Sequence, residues 1–170
     1  ARLIATQPFE GLGLPLSVGG STLSARDPGP VWSIAPFRGH EAAVSRALGG
    51  AALPSPGRAE RMGEARLLWA GPGRFLLLGR EPPEGLAPHA AVTDQGDGLA
   101  CALLEGPAAR DVLARLVPLD LAGDAFPEGA TARTLLGHMA VTLTRAAPAG
   151  WEVMAMRSMA ATLVDEIGHA

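Results

Sequence analysis

The sequence predicts an α+β domain, in which a mostly antiparallel sheet is built from hairpins and helices pack on one face. Short strand patterns occur in pairs joined by glycine-containing turns, whereas helical patterns are few and short. The chain has 170 residues, 48% of them hydrophobic, which is enough for one domain with a substantial core. The predicted element order is β-α-ββ-ββ-α-βββ-α.

The N-terminal residues 1–30 are rich in glycine and proline and show little periodicity. We predict that they form an N-terminal arm and that residues 31–170 form a single α+β domain. The part between Thr6 and Leu23 has room for a short strand. Two interpretations stay open, namely a flexible end and an arm that orders on the surface of a partner.

The first elements of the predicted domain are a strand, a helix and a hairpin. Residues 31–35 are apolar enough for a strand, and residues 39–48 have helical spacing before a Gly-Gly terminator. Residues 54–63 are polar and predict a loop. Two apolar runs, 65–70 and 75–78, flank a Gly-Pro-Gly turn and predict a hairpin.

The central stretch predicts a buried strand followed by a short helix. Residues 90–93 and 99–104 are predicted to pair as strands, and the second run is continuously apolar, as in a strand covered on both faces. Pro107 suits the start of a helix, and Pro118 ends it. The apolar stripe of this helix consists of Ala109, Val112, Leu113 and Leu116.

The C-terminal part predicts three strands and a closing helix. Residues 131–136 and 139–144 form a hairpin turned at Gly137-His138, and residues 151–156 form the next strand. Ser158 is the predicted N-cap of the last helix. The buried stripe of that helix consists of Ala160, Leu163, Val164 and Ile167.

Composition narrows the range of functions. With 17 acidic and 14 basic residues, the net charge of −3 argues against nucleic acid or an anionic membrane surface as the main partner. Every basic residue is arginine, so a Schiff-base lysine is excluded, and the chain has no tyrosine. The lone Cys101 excludes an internal disulfide. No apolar run reaches bilayer length and no secretory signal is visible, so we expect a cytoplasmic protein.

No group of residues has the spacing of an active site or a metal centre. The four histidines are scattered, and the acidic turn with Asp94 and Asp97 has too few oxygen ligands for a calcium loop. Ser158 lacks the flanking glycines of a nucleophile elbow. Cys101, in mid-strand, is predicted to be a small buried hydrophobe without an activating base. We therefore predict no catalytic residue, no cofactor-binding residue and no metal site.

Three residues remain as weak candidates for an anion grip or a protein interface. Arg145 and Arg157 end adjacent predicted strands, and we favour the interpretation that both are solvated surface arginines. The alternative is that they lie near one another and that their guanidinium groups hold a carboxylate. A protein interface can use such arginines equally well. His138, in its hairpin turn, is the third candidate.

Six segments occur in an order and at a spacing typical of one known family. They are LWAGPGRFLL from Leu68, VTDQGD from Val92, EGPAAR from Glu105, PLDL from Pro118, the segment from Phe126 (FPEG) that runs on to His138, and RSMA from Arg157. In this arrangement the chain resembles the gamma subunit of heterotetrameric sarcosine oxidase. The EGPAAR corner with its helix is also similar to part of the aminomethyltransferase family of the glycine cleavage system.

The resemblance implies a fold like that of the folate-binding aminomethyltransferase domain and a role as an accessory, non-catalytic subunit. It further implies a complex that demethylates sarcosine oxidatively to glycine and releases the one-carbon unit as formaldehyde or to tetrahydrofolate. FAD, FMN, NAD and tetrahydrofolate would then belong to the partners, which are the larger alpha and beta flavoprotein subunits and a small delta subunit. The alternative is a stand-alone folate-binding one-carbon protein of aminomethyltransferase type.

Overall fold

The computed structural model describes residues 4–170, which form two antiparallel sheets with helices on their outer faces. The strands are β1 Leu16–Val18, β2 Ser21–Ala25, β3 Val31–Pro36, β4 Ala59–Met62, β5 Ala65–Gly71, β6 Arg74–Leu78, β7 Ala90–Asp94, β8 Leu99–Glu105, β9 Thr131–Leu136, β10 Met139–Ala147 and β11 Gly150–Met156. The helices are α1 Glu41–Ala47, α2 Ala109–Ala114 and α3 Ala160–Gly168. One sheet has the order β1-β2-β8-β11-β10-β9 and the other β4-β5-β6-β3-β7.

The outer face of each sheet is covered by helical segments. Helices α2 and α3 pack on the six-stranded sheet, where the buried side chains include Leu104, Leu113 and Leu163. Helix α1 packs on the five-stranded sheet, where the buried side chains include Val44 and Ile34. Because strand side chains alternate, the same strands present their other residues to the space between the sheets.

The space between the sheets is filled by a small third core, which we call the inter-sheet layer. Its buried members are Val31, Leu68, Leu78, Cys101 and Met154, and Ala59, Leu76 and Leu99 pack against them. These residues come from both sheets, so the inner faces of the two sheets pack directly on each other. The molecule therefore has four layers, which are helices α2 and α3, the six-stranded sheet, the five-stranded sheet and helix α1.

The α+β class and the antiparallel hairpin architecture are confirmed, with two differences in arrangement. Instead of one sheet with helices on one face there are two sheets, each with helical cover on its outer face. Residues 90–93 and 99–104 do not pair with each other, because β7 pairs with β3 whereas β8 pairs with β2 and β11. The turn between them is a crossing from one sheet to the other.

Two segments predicted as an arm and as a polar loop are built into the sheets, and β1 lies in the part of the arm, between Thr6 and Leu23, that has room for a short strand. Strands β1 and β2 pair with each other, and β2 pairs with β8, so Leu16–Val18 and Ser21–Ala25 of the predicted arm belong to the six-stranded sheet. Residues 1–3 of that arm lie outside the described residues. Strand β4 lies within the predicted polar loop and pairs with β5 at the edge of its sheet.

The capping prediction for the last helix is wrong. Arg157–Met159 form a 3₁₀ turn, α3 begins at Ala160, and Met159 occupies the N-cap position without a side-chain hydrogen bond. At the start of α2 a distant residue does the capping, because the backbone N–H of Ala108 donates to Ser21 Oγ at 3.1 Å. A side chain of strand β2 thus stabilises the turn that precedes α2.

Candidate functional site

One end of the inter-sheet layer is polar and closed. The Glu152 carboxylate on β11 is 1% exposed, and it accepts two hydrogen bonds from Nη2 of Arg66 on β5, at 2.8 and 3.0 Å. Arg26 adds a second cation, with its Nε 3.9 Å from Glu152 Oε2. A buried carboxylate needs such partners, because leaving it uncompensated in a low-dielectric interior is costly. This ion pair therefore joins one sheet to the other.

Hydroxyl groups and backbone hydrogen bonds complete the closed end. Thr144, the cross-strand neighbour of Glu152, is buried, and its hydroxyl lies 2.9 Å from that of Thr131. The backbone N–H of Ala59 donates to Gly129 O at 2.8 Å, and that of Thr131 donates to Gly57 O at 2.9 Å. These bonds stitch the edge of the five-stranded sheet to the start of β9.

Cys101 lies in the middle of the inter-sheet layer and is buried, as predicted from its strand position. Burial raises the pKa of its thiol well above the ordinary value of 9.0, and the neighbouring Glu152 carboxylate raises it further. Since the thiolate is the reactive form, this cysteine is protected in the folded protein.

The other end of the inter-sheet layer is apolar and open. Leu135, Ala140, Met156 and Leu99 form a row across four neighbouring strands of the six-stranded sheet. They lie on the inner face of that sheet, yet Met156 is 60% exposed and Leu135 is 48% exposed. The five-stranded sheet does not extend far enough to cover them.

A groove of about 230 Å³ lies at this open end, between the two sheets. Leu76, Leu99 and Met154 of the inter-sheet layer form part of its lining. The charged side chains that line it are Arg74 on β6 and Arg133 on β9, and both are exposed. Among the described residues that line the groove there is no aspartate or glutamate. We call this site the open groove.

Arg145 and Arg157 do not lie near one another, so the anion-grip alternative is wrong. Arg145 pairs with Trp151 at the start of β11, whereas Arg157 follows the last residue of that strand. A seven-residue strand is about 20 Å long, so the two guanidinium groups are at opposite ends of the hairpin. They cannot hold one carboxylate together.

Each of these arginines has partners within the chain. Arg145 donates to the carbonyl oxygens of Phe126 and Pro148 at 2.9 and 3.0 Å, and its guanidinium carbon lies 5.4 Å from the Trp151 ring centroid. Arg157 donates to the carbonyl oxygen of Thr6 and, at 3.4 Å, to its hydroxyl. Arg145 is therefore hydrogen-bonded to the loops beside β10, and Arg157 is hydrogen-bonded to the N-terminal segment.

His138 is exposed in the hairpin turn between β9 and β10, where the sequence places it. The other histidines contain a pair that sequence spacing does not reveal, because 49 residues separate its members. Nδ1 of His40 lies 3.0 Å from Nδ1 of His89, with ring centroids 5.3 Å apart. The rings therefore meet nitrogen to nitrogen, which fits one imidazole donating to the other.

Within residues 4–170 the structure contains no cluster suited to a metal ion. No three histidine, cysteine, aspartate or glutamate side chains lie close enough together in this range to hold one. Asp94 instead accepts a hydrogen bond from the backbone N–H of Gly96 at 2.8 Å, which closes the acidic turn. No helix over the same residues is long and apolar enough to cross a membrane.

Sequence comparison finds neither a matching protein-family model nor a matching curated protein. Structure comparison does find similar proteins. A chain of the heterotetrameric sarcosine oxidase from Corynebacterium sp. U-96, solved in complex with pyrrole 2-carboxylate, matches with a TM-score of 0.82 and 24% identity. The match covers 97% of this chain and 95% of that one.

The second similar structure is the glycine cleavage system aminomethyltransferase T from Bartonella henselae, with a TM-score of 0.58 and 16% identity. The match covers 87% of this chain and 45% of the aminomethyltransferase, so this chain spans about half of its length. At these identities the likeness establishes the fold. It confirms the aminomethyltransferase-like architecture that the sequence resemblance implies.

Proposed function

We propose that this chain is an accessory, non-catalytic subunit of a heterotetrameric oxidase of the sarcosine oxidase type. The observation that carries the proposal is the structural match over nearly the whole length of both chains, at a TM-score of 0.82. Because the match covers almost every residue of both chains, it is what we expect of two subunits that occupy the same position in an assembly. The resemblance of the six sequence segments to the gamma subunit supports the same role.

In this proposal the complex demethylates sarcosine oxidatively to glycine, and the one-carbon unit leaves as formaldehyde or passes to tetrahydrofolate. FAD, FMN, NAD and tetrahydrofolate are held by the partner subunits, which are two larger flavoproteins and a small fourth chain. The contribution of this chain is a folded surface for its partners. The open groove, which has the exposed Met156 in its lining and the exposed Leu135 beside it, supports that contribution.

The second candidate is a stand-alone folate-binding protein of aminomethyltransferase type, which the match to aminomethyltransferase T favours. In that family a carboxylate is expected to grip the pterin ring. The buried Glu152 carboxylate is engaged by Arg66, and the described lining of the open groove contains no carboxylate. Neither place offers a free carboxylate to a pterin, so we place this function second.

The test is expression of the chain alone and together with the two larger flavoprotein subunits and the small fourth chain of an oxidase of this type. We expect the isolated chain to show no flavin absorbance and no sarcosine oxidation, and the co-expressed chains to purify as a stable complex. An isolated chain that turns over sarcosine would contradict the proposal. So would a partner complex that assembles and works equally well without this chain.

Calorimetric titration of the isolated chain with tetrahydrofolate separates the two candidates. The accessory role predicts no saturable heat, because in this proposal tetrahydrofolate is held by the partner subunits. Saturable binding with one site per chain would favour the folate-binding function instead.

A further inference from the structure

We infer that the open groove binds a segment of the partner flavoprotein subunit in which an apolar side chain stands beside a carboxylate. This inference rests on the proposed function, and it names the surface and the chemistry of the contact. It follows from three observations, namely the apolar row, the charge of the groove and the contrast with the closed end.

The apolar row is the first observation. Register places Leu135 beside Ala140, and Met156 beside Leu99, on the inner face of one sheet. Farther along the same face, the equivalent positions are covered by the second sheet. Here Leu135 and Met156 remain about half exposed, next to a groove lined by the inter-sheet layer. A partner that inserts an apolar side chain would continue the core that the second sheet leaves unfinished.

Charge is the second observation, and it specifies the occupant. The whole chain carries a net charge of −3, yet the charged residues lining the groove are Arg74 and Arg133. Over residues 4–170, neither guanidinium makes an ion pair with a side chain. A planar guanidinium is suited to a carboxylate, so an acidic side chain of the partner would complement this rim.

The closed end supplies the third observation, because it shows what this fold does with its own arginines. There, Arg66 and Arg26 flank a carboxylate supplied by the same chain, Glu152. At the open groove the arginines are present and the carboxylate is absent from the described lining. The geometry therefore points to a carboxylate contributed by another polypeptide.

The experiment measures the affinity of this chain for the partner complex assembled without it. Met156→Asp and Leu135→Asp should each raise the Kd about tenfold or more, because each places a charge where an apolar contact forms. Phe37→Asp is the matched control, since Phe37 is another exposed large hydrophobic residue, at 46%, and directly follows β3 of the other sheet. It should leave the Kd unchanged.

A second pair of variants tests the charge without touching the apolar row. Arg74→Gln and Arg133→Gln should weaken binding and also flatten its dependence on salt, because rim charges are screened by salt. Arg46→Gln, at an exposed arginine on α1, is the control and should change neither quantity. Circular dichroism and urea unfolding of every variant establish that the fold is intact.

The outcomes separate this inference from the proposed function. If the wild-type chain binds the partner complex and the groove variants bind as tightly as wild type, the groove is not the contact and the inference is overturned. The accessory role would then stand with a different surface. If the wild-type chain itself fails to bind, the proposed function fails, and the inference fails with it.

Discussion

The two ends of the inter-sheet layer differ in an unusual way, because polar side chains are buried at one end and apolar side chains are exposed at the other. Both ends are rows of residues on the same inner face, about 13 Å apart along the strands. In the closed row, Thr131, Thr144 and Glu152 are polar and buried. In the open row, Leu135 and Met156 are apolar and about half exposed.

This difference shows which end serves the fold and which end is free for a partner. The polar groups of the closed end are satisfied within the chain by Arg66, by the hydroxyl pair and by backbone bonds between the sheets. At the open end, apolar surface and two arginines remain without a covering element. The free energy of unfolding should therefore depend strongly on the closed row and little on the open row. Binding to a partner should depend strongly on the open row and little on the closed row.

The largest effect is expected for Glu152→Ala at the closed end. This change removes the buried carboxylate and leaves Arg66 without its partner, which should lower the free energy of unfolding by about 3–5 kcal/mol. Urea unfolding measures it. The control is Glu60→Ala, at an exposed glutamate on β4, which should cost less than about 0.5 kcal/mol.

The double variant Glu152→Leu with Arg66→Met sharpens this prediction. Replacing both charges by apolar side chains should recover most of the lost stability, because a buried ion pair contributes little beyond its own desolvation. Equal stability of Glu152→Ala and Glu60→Ala would show that the closed end does not hold the sheets together.

A smaller effect is expected at the hydroxyl pair. Thr144→Val leaves the Thr131 hydroxyl buried without its side-chain partner and should cost about 1–3 kcal/mol. Replacing both threonines by valine should cost less than the single change, because no hydroxyl is then left unpaired. Denaturant unfolding of the two variants tests this order. A double variant with a lower free energy of unfolding than the single variant would contradict it.

The Cys101 thiol predicts a loss of stability at alkaline pH. Its pKa is raised by folding, so above its ordinary value of 9.0 the unfolded chain forms the thiolate first and is favoured. The free energy of unfolding therefore keeps its full contribution from the neutral thiol below pH 9. Above pH 9 it declines by up to about 1.4 kcal/mol per pH unit. The chain has no lysine or tyrosine to titrate in the same range.

Unfolding curves from about pH 8 to about pH 10.5 for wild type and Cys101→Ala provide the measurement. The wild-type free energy of unfolding should fall above about pH 9, and that of Cys101→Ala should stay nearly level. Parallel curves for the two proteins would mean that the thiol ionises as readily in the folded state as in the unfolded one.

The smallest effect on stability is expected at the open end. Met156→Ser should change the free energy of unfolding by less than about 0.5 kcal/mol, since the side chain is already 60% exposed. A cost comparable to that of Glu152→Ala would place Met156 in the core of the isolated chain and would remove the contrast between the two ends.

The sequence predicts the strands well where apolar residues alternate or run together. Strands β3, β5, β6, β7, β8, β9, β10 and β11 lie within a few residues of their predicted positions. Strand β4 is missed because Ala59–Met62 is a polar edge strand without an apolar face. The separate partners of β7 and β8 are missed because a local pattern does not encode which distant strand completes a sheet.

The candidate site is harder to predict, because its members are distant in sequence. Arg66 and Glu152 are 86 residues apart, and the open groove draws its lining from both sheets. One signal was available, since Glu152 is a single charge within an apolar strand and a buried charge requires a partner. Nothing local identifies that partner, and nothing local indicates that Met156 extends beyond the covering sheet.

The most direct measurement places a thiol in the open groove and follows its reactivity. Met156→Cys in a Cys101→Ala background gives this chain a single exposed thiol, and Arg46→Cys in the same background is the control. Mass spectrometry then follows alkylation of this chain, first in isolation and then assembled with the flavoprotein subunits.

The thiol introduced by Met156→Cys should be alkylated rapidly in the isolated chain and at least about tenfold more slowly in the complex. The thiol introduced by Arg46→Cys should react alike in both, because α1 lies on the outer face of the other sheet. Equal alkylation rates for Met156→Cys in the isolated chain and in a fully assembled complex would show that no partner covers the open groove.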